Sequence, residues 1–203
     1  MRYDRTLALD KLLTGYKRYY NITRFDGALG IGDVREAETI LPPALPPGNE
    51  LTAVCEYYER SGQHLFLKSN ELWSANQEEF IFLFSISHLT KDLYECCRDY
   101  AYEAGMDMAH IGKGHMYTYI SPIFVCDSAD EDAKRALKKC GIYKSFLFSF
   151  HGWMEFHNAC VDLSEKSLHF NRRGQCMKKN MTAVLQALLQ KEMSHEYACA
   201  AWG

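Results

Sequence analysis

Apolar residues in "DRTLALDKLLTGYKRYY" (4–20) recur at the spacing of one helix face: Leu9, Leu12, Leu13, Tyr16 and Tyr20. That spacing predicts an amphipathic helix which docks on a larger body. The periodicity then stops. Residues 21–49 offer a short extended piece, a glycine-rich turn at 27–32 and a proline-rich stretch at 41–48. Pro42, Pro43, Pro46 and Pro47 fix φ and remove backbone donors, so a stiff spacer is expected here, although Pro43-Ala44-Leu45-Pro46 has the order of a P-x-x-P ligand.

From residue 50 the pattern becomes that of strands. "ELTAVCEYYERSGQHLFLKSNELWSANQEEFIFLFSIS" predicts a meander of three or four antiparallel strands, with turns at Ser61-Gly62, Ser69-Asn70 and Ala75-Asn76-Gln77. Leu65 and Leu67 alternate with Phe66 and Lys68, whereas "FIFLF" is apolar at every position, as in a central strand buried on both faces. A helix is expected at 88–111, with Leu89, Leu93, Cys96 or Cys97, Tyr100, Ala104, Met108 and Ile111 inward and Gly112 ending it. "HMYTYISPIFVCD" reads as a strand that Pro122 demotes to an edge or bulge. Ser128-Ala129-Asp130-Glu131 has capping-box order and predicts a helix to Cys140, closed by Gly141. "YKSFLFSF", "WMEFHNACVDL" and "SLHFN" read as three strands with turns at His151-Gly152 and Ser164-Glu165-Lys166, followed by a helix at 175–192 with Met177, Met181, Val184, Leu185, Leu188 and Leu189 inward. The expectation is an α+β fold: antiparallel β-meanders packed with about four amphipathic helices. It forms a single domain over 1–203, with a docking helix at 1–20, a connector at 21–49 and the core at 50–192.

Composition narrows the class. With 203 residues, 47% apolar and 13% aromatic, the chain can bury roughly 70% of its unfolded surface. A net charge of −3 and a pI near 6.2 give no global attraction to nucleic acid or anionic lipid. Arg2, Asp4, Arg5, Asp10 and Lys11 interrupt any signal-peptide core, and no apolar run has membrane-spanning length, so a cytoplasmic protein without membrane association is expected. The eight cysteines include no C-x-x-C pair and read as reduced, mostly buried thiols. Adjacent Cys96 and Cys97 cannot both face inward on a helix, which leaves one accessible.

The stretch "YKSFLFSFHGWMEFHNACVDLSEKSLHFNRRG", with its Lys-Ser-Phe strand, Gly-Trp turn and "VDL...K...N..G" hairpin after a capped helix, resembles an uncharacterised family from clostridial-type anaerobic bacteria. The likeness extends over about residues 50–175. It implies a cytoplasmic bacterial protein and no particular catalysis.

Candidate chemistry concentrates at 151–157. Glu155 and His157 are i, i+2 neighbours that project together from a strand, an arrangement that serves two metal ligands or a carboxylate orienting an imidazole. A two-residue turn at His151-Gly152 puts them beside Phe146, Phe148, Phe150 and Trp153; a three-residue loop moves them to the opposite side, beside Ala159 and Val161. With His151 they would make a two-histidine, one-carboxylate site for a divalent metal. The other histidines, His64, His88, His110, His115 and His169, fit no ligand spacing. "DGALGIGD" and "IGKGH" lack the phosphate-loop order and read as turns. Lys134, Arg135, Lys138, Lys139 and Lys144, together with Arg172, Arg173, Lys178 and Lys179, form two basic groups that would bind nucleic acid or a phosphoanion if they shared a surface with Tyr117 and Tyr119. There is no Glu-x-Lys nuclease motif, no Gly-x-Ser-x-Gly and no cysteine beside a histidine in sequence. The leading expectation is therefore a non-catalytic domain that binds a small molecule or a protein and needs no cofactor. A metal-dependent enzyme using Glu155 and His157 is the alternative, and nucleic-acid binding the third option.

Overall fold

The structure is a computed structural model that describes residues 5–25, 51–64 and 71–200. The glycine-rich turn, the proline-rich connector and the expected alternation at 65–68 lie outside the described residues. In chain order the elements are α1 (Arg5–Tyr16), β1 (Asn21–Arg24), β2 (Leu51–His64), β3 (Glu71–Leu89), α2 (Lys91–Met108), β4 (His115–Ala129), α3 (Glu131–Lys139), β5 (Tyr143–Ser145), β6 (Trp153–Phe156), β7 (Ala159–Asp162), β8 (Ser167–Phe170) and α4 (Lys178–Ala200). Short 3-10 segments at Leu147–Ser149 and Arg173–Met177 precede β6 and α4.

The fold class is α+β, but the sheet is mixed rather than antiparallel. Its order is β1-β2-β3-β4-β6-β5, with β7 continuing along β4 beyond β6 and β8 pairing β7. β1, β2 and β3 are antiparallel, as are β5 with β6 and β7 with β8. The β3–β4, β4–β6 and β4–β7 pairs are parallel. The physical reason is that α2 is a crossover that returns the chain from the end of β3 to the start of β4, while α3 together with the antiparallel β5 returns it from the end of β4 to the start of β6, so β3, β4 and β6 run the same way. The expected three or four strands of residues 51–87 are two long ones: Ser61-Gly62 and Ala75-Asn76-Gln77 lie inside β2 and β3, paired with one another.

Central β3 is buried on both faces, as its unbroken apolar run requires. Phe80, Phe82 and Phe84 face α2 and α3, while Ile81 and Leu83 face α1 and α4, all at 0–1% exposure. Each such side chain contributes about 1.5–3 kcal/mol by leaving water. Phe84 stacks on Phe124 at 5.2 Å, and Tyr94 from α2 meets Phe124 edge-on at 5.5 Å. Thr90 caps α2 by accepting from the Leu93 amide, and Cys97 is buried while Cys96 is exposed. The cap of α3 is Asp130, two residues past the expected Ser128, because Ser128 and Ala129 still belong to β4 and the Ser128 hydroxyl bonds His88.

Two buried polar devices fix the far side of the sheet. Pro122 has no N–H to continue the ladder where it runs past His157 and Asn158, so the single strand expected from Trp153 to Leu163 divides into β6 and β7. Asn171, 1% exposed, fills the break. Its Nδ2 donates to the Phe156 carbonyl (2.8 Å) and the Cys140 carbonyl (3.0 Å), and its Oδ1 accepts from the Asn158 amide (3.0 Å) and the Gly174 amide (2.7 Å). The second device is the Lys134 ammonium, 2% exposed on α3, which lies 2.9 Å from Asp162 Oδ2, 2.7 Å from Glu165 Oε2 and 3.2 Å from Glu131 Oε1. Although burial opposes a charged Asp162, the Ser164 hydroxyl, Lys134 and the Glu165 amide outweigh it and hold the Asp162 carboxyl below its ordinary value.

The hairpin turn at His151-Gly152 is wider than either expected register. Tyr143 opposes Glu155 and Ser145 opposes Trp153, so residues 146–152 form a loop in which Leu147, Phe148 and Ser149 have positive φ of 46°, 51° and 69°. A strand cannot run through three left-handed residues, and Phe148 and Phe150 stand in solvent instead of beside Glu155.

Asn171→Ala leaves two buried amides and two carbonyls without partners, and should lower unfolding free energy by about 3–5 kcal/mol, read by denaturant titration. Lys134→Met strands the buried Asp162 charge and should cost about 3–5 kcal/mol at pH 7. Because the folded Asp162 pKa is depressed, the stability it contributes is present above about pH 4 and disappears as pH falls through its lower folded value. The difference between wild type and Lys134→Met should therefore shrink below about pH 4.

Candidate functional site

The α1 and α4 helices cover only part of their sheet face. Beyond them, directly opposed residues form rows across the strands: Tyr57, Glu79, Tyr119, Glu155 and Tyr143 in one, and Glu59, Gln77, Tyr117, Trp153 and Ser145 in the next. Opposed positions share a face, so these rows make one aromatic and acidic shelf. Tyr117 and Tyr119 stack at 4.5 Å, Trp153 lies 5.9 Å from Tyr117, and the His157 ring lies 4.6 Å from Tyr119. Tyr117 donates to the Gln77 side-chain carbonyl. Glu79 is half-buried among these rings, and loss of water raises its pKa, while the hydrogen bond from Tyr20 (2.6 Å) works in the other direction.

At the β6 end of the shelf, Glu155 and His157 do come together. His157 Nε2 is 3.4 Å from Glu155 Oε2, and Arg173 Nε lies 3.5 Å from Glu155 Oε1. The residue that sequence reasoning missed is Cys176, whose Sγ is 3.7 Å from His157 Nδ1. Nineteen residues separate them in sequence, and only the β7–β8 hairpin and the following 3-10 segment bring Cys176 back to His157; no local spacing announces this. The approach is close because residue 174 is glycine: a Cβ there would sit 2.4 Å from the Asn158 carbonyl oxygen. The His157 side chain is 4% exposed, and burial is the main reason its pKa is lowered, Glu155 pulling the other way. Cys176 is exposed at its outer side, yet burial of the thiol and the nearby Glu79 and Glu155 carboxylates raise its pKa against the Met177 and Cys176 amides.

At the other end of the shelf, α1, α4 and β2 enclose a cleft of about 570 Å³. Tyr16, Tyr19, Tyr20 and Tyr57 line it, with Lys11 and Asn180 as its polar contributors and Ala183 and Val184 along the α4 wall. Tyr16 and Tyr20 meet edge-on at 5.2 Å, and Tyr20 lies 5.6 Å from Tyr57, so the aromatic lining is continuous with the shelf.

The remaining candidates are dispersed. His151 does not join Glu155 and His157; its backbone carbonyl accepts from His115 Nδ1 at 2.7 Å, while His115 Nε2 meets Thr118 at 2.8 Å. Among the described residues the one gathering of three metal-ligating side chains is Asp162, Glu165 and His169, and the Lys134 ammonium already bridges its two carboxylates. The helices that carry most of the two basic groups are divided by the sheet, α3 packing on one face and α4 on the other, although Arg173 approaches Tyr143, the neighbour of Lys144 in β5. Lys134 is buried, Arg135 pairs with Asp132, and Arg173 is engaged by Glu155 and by the Tyr143 ring at 4.9 Å. Arg172, Lys178 and Lys179 remain exposed near the start of α4. "IGKGH" is a turn, with Gly114 at φ 86°. No helix among the described residues is long and apolar enough to cross a membrane.

No curated protein and no solved structure matches the chain. A family model described as a domain of unknown function (DUF8052) matches residues 4–183, which takes in α1, the whole sheet and the first turn of α4. The chain belongs to that family.

Proposed function

We propose that this protein binds a small molecule with a flat, largely apolar body in the cleft between α1, α4 and β2. The observation that carries the reading is the cleft itself. Its volume of about 570 Å³ falls within the range of small-molecule sites, and four tyrosines supply broad apolar walls with hydroxyl tips. Lys11 and Asn180 are the groups that would orient the ligand, and the Lys11 ammonium favours an anionic or carbonyl-bearing end. The lining brings no acid–base pair together, so the cleft by itself supports binding rather than turnover.

The setting that fits this reading is the cytoplasm. None of the seven described cysteines is in a disulfide, and buried Cys126 and Cys160 sit with sulfurs 3.4 Å apart, well beyond the bond length of about 2.05 Å. A divalent-metal enzyme and a nucleic-acid binder have less support. His151 joins no three-ligand gathering with Glu155 and His157 among the described residues, and α3 and α4, which carry most of the basic residues, pack on opposite faces of the sheet.

Gly15 provides a clean test. It lines the cleft from α1, and nothing lies within 4 Å of where its Cβ would be. Gly15→Ala should raise stability by about 0.5–1 kcal/mol through helix propensity and leave the cleft open. Gly15→Trp should fill it. With 1-anilinonaphthalene-8-sulfonate as the probe, wild type and Gly15→Ala should show saturable fluorescence enhancement at one dye per chain, and Gly15→Trp should lose it. Unchanged dye affinity in Gly15→Trp would rule out the cleft as the binding site.

A further inference from the structure

Cys176 comes from one stretch of the chain and the neighbouring Glu155 and His157 from another, and the three side chains meet in one line. Glu155 ends in oxygens that can only accept when ionised, so its contact with His157 Nε2 at 3.4 Å places the single proton of a neutral imidazole on Nε2. The bare lone pair of Nδ1 then faces the Cys176 thiol at 3.7 Å. Arg173 pins the far oxygen of Glu155, and Tyr119 packs on the imidazole ring, so neither partner is free to swing away. This is the order nucleophile, base, orienting carboxylate, with the nucleophile at the solvent-accessible end.

We propose that Cys176 is the nucleophile of an acyl-transfer site, with His157 as its general base and Glu155 as the positioning residue that fixes the imidazole tautomer. The substrate class is an ester or thioester of a small acid. Sγ bonds the acyl carbon as the thiol proton passes to His157 Nδ1. The bond from that carbon to the leaving oxygen or sulfur then breaks, and the leaving group takes the proton from the imidazolium. A water molecule, deprotonated by His157, cleaves the resulting thioester, releases the acid and restores the thiol. Burial keeps the imidazole neutral, and burial with the Glu79 and Glu155 carboxylates keeps the thiol protonated, so the resting pair is uncharged and the proton moves only as the bond forms. The inference stands apart from the cleft. Cys176 precedes Asn180 of the cleft wall by four residues, but the thiol site needs no ligand there.

The test uses the full chain and 4-nitrophenyl acetate, with release of 4-nitrophenol followed by absorbance and the acetyl group located by mass spectrometry. The expected result is one acetyl per chain on Cys176, absent in Cys176→Ala and retained in Cys96→Ala, which removes the exposed thiol on the opposite side of the sheet. His157→Gln should slow acylation more than about 10-fold. Should that variant fail to fold by circular dichroism, Glu155→Gln decides. Removing the carboxylate that raises the His157 pKa should slow acylation and move the rising limb of its pH profile to lower pH. A merely structural Glu155 would leave that limb in place. Acetylation that persists at the wild-type rate in Cys176→Ala, or that is equally fast in His157→Gln, or a pH profile unmoved in Glu155→Gln, overturns the proposal. None of these outcomes depends on the Gly15 variants.

Discussion

One carboxamide holds the far side of this sheet together. Where the outer neighbour of the β6–β7 line changes from β5 to β8, and Pro122 interrupts the inner ladder, four backbone groups would be left buried without partners. Asn171 meets all four with one donor nitrogen and one acceptor oxygen. Its own backbone continues the β8 pairing by donating to the Asn158 carbonyl. A buried peptide group without a partner costs about 1–3 kcal/mol, so the alternative to this side chain is local unravelling of a strand end, a helix end and a turn at once. The consequence reaches the shelf. Because Oδ1 accepts from the Gly174 amide, the 3-10 segment that carries Arg173 and Cys176 is tied to the strand that carries Glu155 and His157, and Gly174 lets the two backbones close on one another.

The shelf exists because helix coverage and strand length do not match. β3 spans 19 residues and β4 spans 15, whereas α1 is a 12-residue helix that rises only about 1.5 Å per residue against about 3.3 Å in a strand. The helices therefore cover the stretch of face bearing Ile81, Leu83, Ile123 and Val125, and the strands run on beyond them. The residues of the overhang change accordingly from aliphatic to tyrosine, glutamine and glutamate. On the other face Glu78 accepts from the His110 amide at 3.1 Å and from Thr118 at 3.2 Å, which ties the segment after α2 down over that part of the sheet.

Much of this architecture was legible in the sequence. Four helices with their inward stripes, the two-sided burial of "FIFLF" and the pairing of Glu155 with His157 all follow from period and parity, which are local properties. The parallel pairings were not legible, because a strand's direction depends on where a crossover helix returns the chain, and β3 and β4 look alike in either orientation. The split at His157-Asn158 was half legible: Pro122 marks an interrupted ladder, but nothing in sequence says which strand lies opposite. The strand boundary at Ser145 was hidden, since Phe146, Phe148 and Phe150 carry high β-propensity, yet the loop takes Leu147, Phe148 and Ser149 into left-handed backbone. Cys176 was out of reach for the same reason as the crossovers: its partner is chosen by tertiary return of the chain.

The polarity of the Cys176 surroundings decides what kind of chemistry the thiol can do. A thiolate at rest needs nearby positive charge or well-aimed amides to exceed its desolvation. Here the amides of Cys176 and Met177 point at sulfur, but Glu79 and Glu155 lie close enough to oppose ionisation, and Arg173, the nearest cation on the same segment, is spent on Glu155. The imidazole is held neutral by its own burial, and the Arg173 guanidinium adds to that. Both halves of the pair are thus pushed toward their uncharged forms, which disfavours the separated thiolate–imidazolium state and favours transfer coupled to attack. Such a site discriminates by the electrophile: soft oxidants and metal ions that seek a standing thiolate gain little from it, whereas an activated acyl carbon supplies the driving force for the proton to move.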